Sequence, residues 1–311
     1  MLLKRFVPLV ALISGFLLGT VAHADDKATP AEAKSAGPGS FGKFLRVLRT
    51  DDGDPLALET SISRYVTKAP GREGLVVELI SAVHIGEGDY YAKLNKLFEG
   101  FDVVLYELVA PEGTRVPKGG GKPRGVISGL QNGMKDMLDL EFQLSEVDYT
   151  RENFVHADMS PEAFAKAMAD RGESIWSMMF RLMGQAMAQQ ASGKNAPNDL
   201  ELLMALFDRD RALKLKRILA GQFENLEFVT AALSGPDGST LIEGRNQAAL
   251  AVLKKQIEAG KKKVAIFYGA GHMPDIEKRL IADFGLKHDS ERWVEAWDLR
   301  DPKDTGAKKP K

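Results

Sequence analysis

Residues 74–108 read GLVVELISAVHIGEGDYYAKLNKLFEGFDVVLYEL. An apolar run to Val83 breaks at His84 to Gly88, yields to apolar residues at helical spacing, and returns as a second run from Val103 to Leu108. Short continuous apolar runs bounded by glycine are strands covered on both faces, and the amphipathic stretch between them is a crossover helix. The segment therefore predicts a β-α-β unit and an α/β (α+β) fold around a central mixed sheet. A second stretch, KKKVAIFYGAGHMPDIEKRL at 261–280, repeats the pattern: strand Val264 to Tyr268, glycine turn, then a helix through Phe284. A helix from about Glu243 to Glu258 leads into it, and a last strand, Arg292 to Leu299, follows.

Outward from these units, two β-rich runs after Phe41 flank the turn Asp51-Asp52-Gly53-Asp54 and predict a hairpin. Residues 110–124 are rich in Pro, Gly and basic residues and predict a surface loop. They are no phosphate-binding loop, because Val116 replaces the first required glycine and Pro123 follows Lys122. Segments 125–140, 161–190 and 198–220 carry helical spacing, so a helical insertion is expected over about 125–222. Met168, Met178, Met179, Met183 and Met187 lie there beside Trp176 and Phe180, either as core filling or as a substrate-facing or dimer-forming surface.

The domain is thus expected over 41–300, after a signal peptide at 1–24 and a linker at 25–40, with a polar tail at 301–311. Lys4 and Arg5 precede the apolar stretch Phe6 to Val21, and Ala22-His23-Ala24 supplies a cleavage site. The stretch is shorter than the ~20 residues of a spanning helix, so a secreted or periplasmic product with no membrane span after cleavage is expected. There is no cysteine, hence no thiol nucleophile, disulfide framework or lipid-attachment cysteine. Removing Lys4 and Arg5 makes a chain of formal charge −1 more acidic, which argues against nucleic acid as a partner. Lys261 to Lys263 follow a helix ending at Gly260 and read as a hydrated helix end.

His84 and His272 each follow an apolar strand and precede a helix. In open α/β sheets the loops beyond the strands' carboxyl ends build the binding crevice, so parallel neighbouring strands would turn both histidines toward it. Glu107 closes the strand Val103 to Tyr106, and a carboxylate there needs solvent or a cation. Arg245, at the start of the preceding helix, can supply that cation or bind a substrate oxyanion. Asp158, after Asn153 to Val155, either lines the same crevice or caps the helix before Pro161. Glycines 269 and 271 are expected to let the backbone turn tightly beside a ligand. Two imidazoles and a carboxylate suit a divalent metal or metal-free acid/base work. No H-E-x-x-H helix, G-x-S-x-G elbow or calcium loop occurs, so any site is assembled from distant segments. His288 reads as exposed, and His23 leaves with the signal peptide.

The set SAVHIG (81–86), LYEL (105–108), GRNQ (244–247) and YGAGHMP (268–274), in this order, resembles the TraB/PrgY/GumN/TIKI family over roughly residues 75–285. Ser81 stands where that family usually has glycine. The resemblance implies a fold similar to the erythromycin-esterase and ChaN-like proteins, with His84, Glu107, Arg245 and His272 lining one pocket. Asp158, Asn246 and Tyr268 are expected beside them as substrate-binding residues. It also implies hydrolysis of a peptide or amide bond, with a divalent metal on His84, Glu107 and His272 as in the animal TIKI peptidases. Peptide or small-molecule substrate is the partner expected. An alternative from ChaN-like relatives is a haem-binding envelope protein, with His84, His272, Tyr106 and Tyr268 as possible axial ligands. A third reading is an envelope protein with a relict pocket.

Overall fold

The computed structural model describes residues 40–111, 113–114, 116–119, 137–174, 177, 204–223 and 238–301. The expected signal peptide, nearly all of the linker and tail, and Trp176, Met178, Met179, Phe180, Met183 and Met187 lie outside the described residues. In chain order the elements are β1 (Leu45–Arg49), β2 (Pro55–Val66), β3 (Val76–Ala82), β4 (Ile85–Gly86), α1 (Gly88–Phe98), β5 (Val103–Tyr106) and β6 (Glu141–Phe142). They continue as α2 (Gln143–Glu146), β7 (Phe154–His156), α3 (Pro161–Asp170), α4 (Arg211–Phe223), α5 (Arg245–Glu258), β8 (Lys263–Gly269), α6 (Met273–Phe284) and β9 (Lys287–Asp298). No helix among the described residues is long and apolar enough to cross a membrane.

The expected hairpin forms as β1–β2, antiparallel, with Gly53 at φ 92° in its turn, a backbone region glycine enters without strain. Ala57 to Thr60 of β2 pair with both β1 and β9, and Ile62 to Val66 with both β3 and β9. Thus one edge of β2 carries β9 while the other passes from β1 to β3. Beyond it the sheet is parallel, in the order β3-β8-β5-β7. The two strands of the opening segment are therefore not neighbours: β8 lies between them. The strand β7 also joins this sheet from within the region expected to be a helical insertion.

Alternation along these strands explains their continuous apolar character, since successive side chains face opposite sides of a sheet buried on both. Ile80, Val104, Ala265 and Phe267 face α1 and α4 through Tyr91, Leu94, Phe98 and Leu219. Val77, Leu79, Leu105, Val264 and Ile266 face α5 and α6 through Leu253, Ile276 and Leu280. Each fully buried side chain of this kind contributes roughly 1.5–3 kcal/mol. The helix α4 is pinned by Lys216 Nζ, which donates to Glu87 Oε1 (2.8 Å), and by Arg217 Nε, which donates to Leu299 O (2.8 Å).

Burial pushes the phenols of all six tyrosines upward. A folded-state pKa raised above the unfolded value of ~10 means that stability holds below pH ~10 and falls as pH rises past it. Tyrosinate absorbance should therefore rise together with the loss of near-ultraviolet circular dichroism, in one alkaline transition. Tyrosines titrating near pH ~10 in a still-folded protein would contradict this.

Candidate active site

Because β3, β8, β5 and β7 run parallel, their carboxyl ends lie along one edge of the sheet. Ala82 pairs with Gly269, and Tyr106 with both Phe267 and His156. Backbone bonds continue just past the strands: Glu107 N–H donates to Phe267 O (3.3 Å) and Ala157 N–H to Tyr106 O (3.2 Å). His84, Glu107, Asp158 and His272 thus emerge from separate segments onto the same edge.

His84, Glu107 and His272 meet at Gly269. Its N–H donates to Glu107 Oε2 at 2.7 Å. A methyl group at residue 269 would stand 3.3 Å from Glu107 Oε2, 3.6 Å from His84 Nε2 and 3.9 Å from His272 Cδ2. His272 Nε2 lies 3.4 Å from Glu107 Oε1. With no side chain at 269, a carboxylate and two imidazoles close around this point of the backbone and border a hollow no larger than a methyl group. Gly269 has φ −55° and ψ 143°, and neither it nor Gly271 has positive φ. The chain does turn tightly here, through a 3-10 turn over Ala270–His272, but without the left-handed backbone that only glycine favours; what Gly269 supplies is the lack of a side chain against Glu107 and His84.

Behind the hollow, one guanidinium holds two carboxylates. Arg245 Nη2 donates to Glu107 Oε1 (2.8 Å) and to Asp158 Oδ2 (2.5 Å), and Nε donates to Asp158 Oδ1 (3.0 Å). Asp158 Oδ1 also accepts from Met159 N–H (2.7 Å). Burial works against ionising Glu107, but Arg245, His272 and His84 outweigh it and hold its carboxyl well below the usual range. Burial likewise works against the Arg245 cation, and Glu107 and Asp158 outweigh it, so Arg245 stays charged. With neutral imidazoles these three groups sum to one negative charge, so the hollow favours an added cation or proton.

A short π-helix, Thr240–Gly244, delivers Arg245, capped by Ser239, whose hydroxyl accepts from Ile242 N–H. Asn246, next along α5, fixes His272. Its Nδ2 donates to His272 O (3.2 Å) and Asp275 Oδ2 (2.9 Å), which sets the orientation of the amide. Oδ1 therefore accepts from His272 Nδ1–H at 2.7 Å, and Nε2 becomes the basic nitrogen, directed at Glu107.

The structure brings together His84, Glu107, His272, Arg245 and Asp158. The capping alternative for Asp158 is corrected, because Ser160 caps α3 by accepting from Ala163 N–H (3.1 Å). Two assignments change. Asn246 is fully buried and holds His272 rather than facing a substrate, and Tyr268 is fully buried with its hydroxyl donated to Ala157 O. Tyr106 is packed among Tyr149, Phe154 and His156. Sequence reasoning missed Gln143, whose N–H donates to His84 O (2.9 Å), and Tyr149, which accepts from its side chain. They lie in a polar stretch with no motif or periodicity to mark them.

Among the described residues no group of three or more His, Asp or Glu is arranged to hold a metal ion. A groove of about 450 Å³ between α5 and α6, lined by Leu250, Lys254 and Phe284, contains none of the residues around the hollow. No family model, curated protein or solved structure matches the chain.

Proposed function

We propose that this chain is a hydrolase of the TraB/GumN type, with an erythromycin-esterase/ChaN-like fold, secreted or periplasmic, acting on a peptide or amide bond. The observation that carries the reading is the convergence of His84 Nε2 and Glu107 Oε2 on Gly269, backed by a buried guanidinium. A water held against His84 and Glu107 loses its proton to His84 as its oxygen attacks the substrate carbonyl carbon. Glu107, kept ionised, orients that water together with His272 Nε2, which lies 3.4 Å from Glu107 Oε1. Arg245 Nη1 makes no hydrogen bond among the described residues, since Nε and Nη2 serve the two carboxylates, and is the donor for the oxyanion. When the tetrahedral intermediate collapses, the carbon–nitrogen bond breaks and the leaving amine takes the proton that His84 received from the water.

A second reading rests on the 3.4 Å between His272 Nε2 and Glu107 Oε1 and on the unmatched negative charge. That spacing is what two ligands of a tetrahedral ion at about 2.1 Å would have, and His84, Glu107 and His272 are suitable donors. A bound divalent ion would polarise the carbonyl or lower the pKa of water. Against it, His84, Glu107 and His272 are not spaced as three ligands that share one ion, and no other such group of His, Asp and Glu occurs among the described residues. The acid/base reading is therefore preferred. The haem alternative has less support, because the Tyr268 hydroxyl is committed and the Tyr106 ring is packed inside the protein.

Turnover of a panel of blocked peptides and amides, followed by mass spectrometry, tests the assignment. His84→Ala and His272→Ala should each lower turnover about 10²–10⁴-fold while leaving the unfolding midpoint nearly unchanged. Full activity in either variant would reject the acid/base roles of the two imidazoles. Dialysis against a chelator should leave the wild type active; loss restored by a divalent ion would favour the metal reading instead.

A further inference from the structure

His272 answers to a carboxylate on each side, one directly and one through an amide. On the Nε2 side, Glu107 Oε1 lies 3.4 Å away. On the Nδ1 side stands Asn246 Oδ1 at 2.7 Å, and the far end of that amide, Nδ2, donates to Asp275 Oδ2 at 2.9 Å and to His272 O at 3.2 Å. The same Asp275 oxygen accepts from Arg279 Nε at 2.7 Å, one turn further along α6, which fixes the carboxylate in place. Asn246 is fully buried and His272 is 5% exposed, so water competes little for these bonds.

The two carboxylates act in opposite directions on a neutral imidazole, which carries one N–H. Glu107 draws the proton to Nε2, where it would donate to Oε1. Asp275 draws it to Nδ1: an anion needs the donor end of the Asn246 amide, and an amide so turned offers Nδ1 only an acceptor. The reverse orientation would aim Asn246 Oδ1 at Asp275 Oδ2 and at His272 O, three oxygens with no hydrogen between them. The bond to Asp275 is charge-assisted and short, whereas the Glu107 charge is already shared with Arg245 Nη2 (2.8 Å) and Gly269 N–H (2.7 Å). Asp275 therefore prevails.

We propose that Asp275, acting through Asn246, is the positioning residue that selects the Nδ1–H tautomer of His272 and keeps the Nε2 lone pair on the side of Glu107. Arg279 holds Asp275 for that task. Without Asp275 the amide turns over, its Nδ2 donates to His272 Nδ1, and the ring proton moves to Nε2 and bonds Glu107. His272 Nε2 then accepts nothing, so it no longer helps to orient the attacking water. The effect on turnover rests on the hydrolase reading, whereas the choice of tautomer does not.

Asp275 also lies in the first turn of α6, where a carboxylate suits the helix dipole, so the test needs a readout that a structural role leaves unmoved. ¹⁵N NMR of the histidine rings supplies it, because protonated and unprotonated ring nitrogens resonate far apart. At ~pH 8, above the ordinary imidazole pKa of ~6.5, the wild-type His272 signals, assigned by their loss in His272→Ala, should place the proton on Nδ1. Asp275→Leu, close in volume but unable to accept, should place it on Nε2. Asp275→Ser, too short to reach the amide, should do the same and serves if the leucine variant does not fold. Asp275→Asn keeps an oxygen for Asn246 and Arg279 and should keep the wild-type tautomer. A wild-type proton on Nε2, or on both nitrogens, overturns the proposal, and so does an Nδ1 proton that persists in the leucine and serine variants. On the hydrolysis panel the switched variants should lose about 10²-fold in kcat. If the wild type cleaves nothing, the hydrolase reading fails and the spectra still decide the tautomer.

Discussion

Arg245→Met should destabilise the fold by about 3–5 kcal/mol at neutral pH, measured by urea unfolding. Methionine nearly preserves volume, so the loss reports charge rather than packing. Without the guanidinium, Glu107 and Asp158 are left as two buried carboxylates facing one another with no cation between them. The sign with pH follows from Glu107. Its folded-state pKa lies below the unfolded value, so its contribution is present above pH ~4.3 and fades as pH falls through the lower folded value. The variant lacks that contribution, and the gap between the two proteins should narrow below pH ~4. A gap under ~1 kcal/mol, the same at every pH, would mean that the guanidinium does not neutralise these carboxylates in solution.

Gly269→Ala should do the opposite: spare the fold and stop the chemistry. Its backbone angles are open to any L-residue, and the closest neighbour of the new methyl, Glu107 Oε2 at 3.3 Å, needs to yield by only a few tenths of an ångström. A stability change of about 1 kcal/mol is expected, at the mild end of overpacking. The methyl, however, fills the hollow between Glu107 and His84. A reacting water displaced by ~1 Å costs ~10²-fold or more in turnover. Unimpaired turnover with a folded protein would remove the hollow from the mechanism, whatever the histidine variants do.

These two outcomes depend on relations that were unequally visible in the chain. The strands ending at Val83, Tyr106 and Tyr268 announce themselves by apolar runs cut by polar or glycine residues, because a sheet buried on both faces admits little else. The positions of His84, Glu107 and His272 follow directly. Strand order does not: nothing local states that β8 slips between β3 and β5, since pairing is decided by long-range fit. The division of labour among polar residues is hidden for the same reason. Asp158 beside Pro161 looks like a cap until Arg245, from α5, is seen to bind it. Asn246 looks like a ligand contact until its amide is seen spanning His272 and Asp275.

The place of β8 also bears on how the chain becomes a protein. The middle of the parallel sheet is the last of its strands to be synthesised, so β3 and β5 each wait with an unpaired inner edge until residues 263–269 arrive. Pairing over such sequence separation is slow, and open apolar edges invite association with other chains. Folding should therefore be late and all at once, with the hollow at Gly269 among the last features to exist. A chain ending before Lys263 would have two half-sheets and no site.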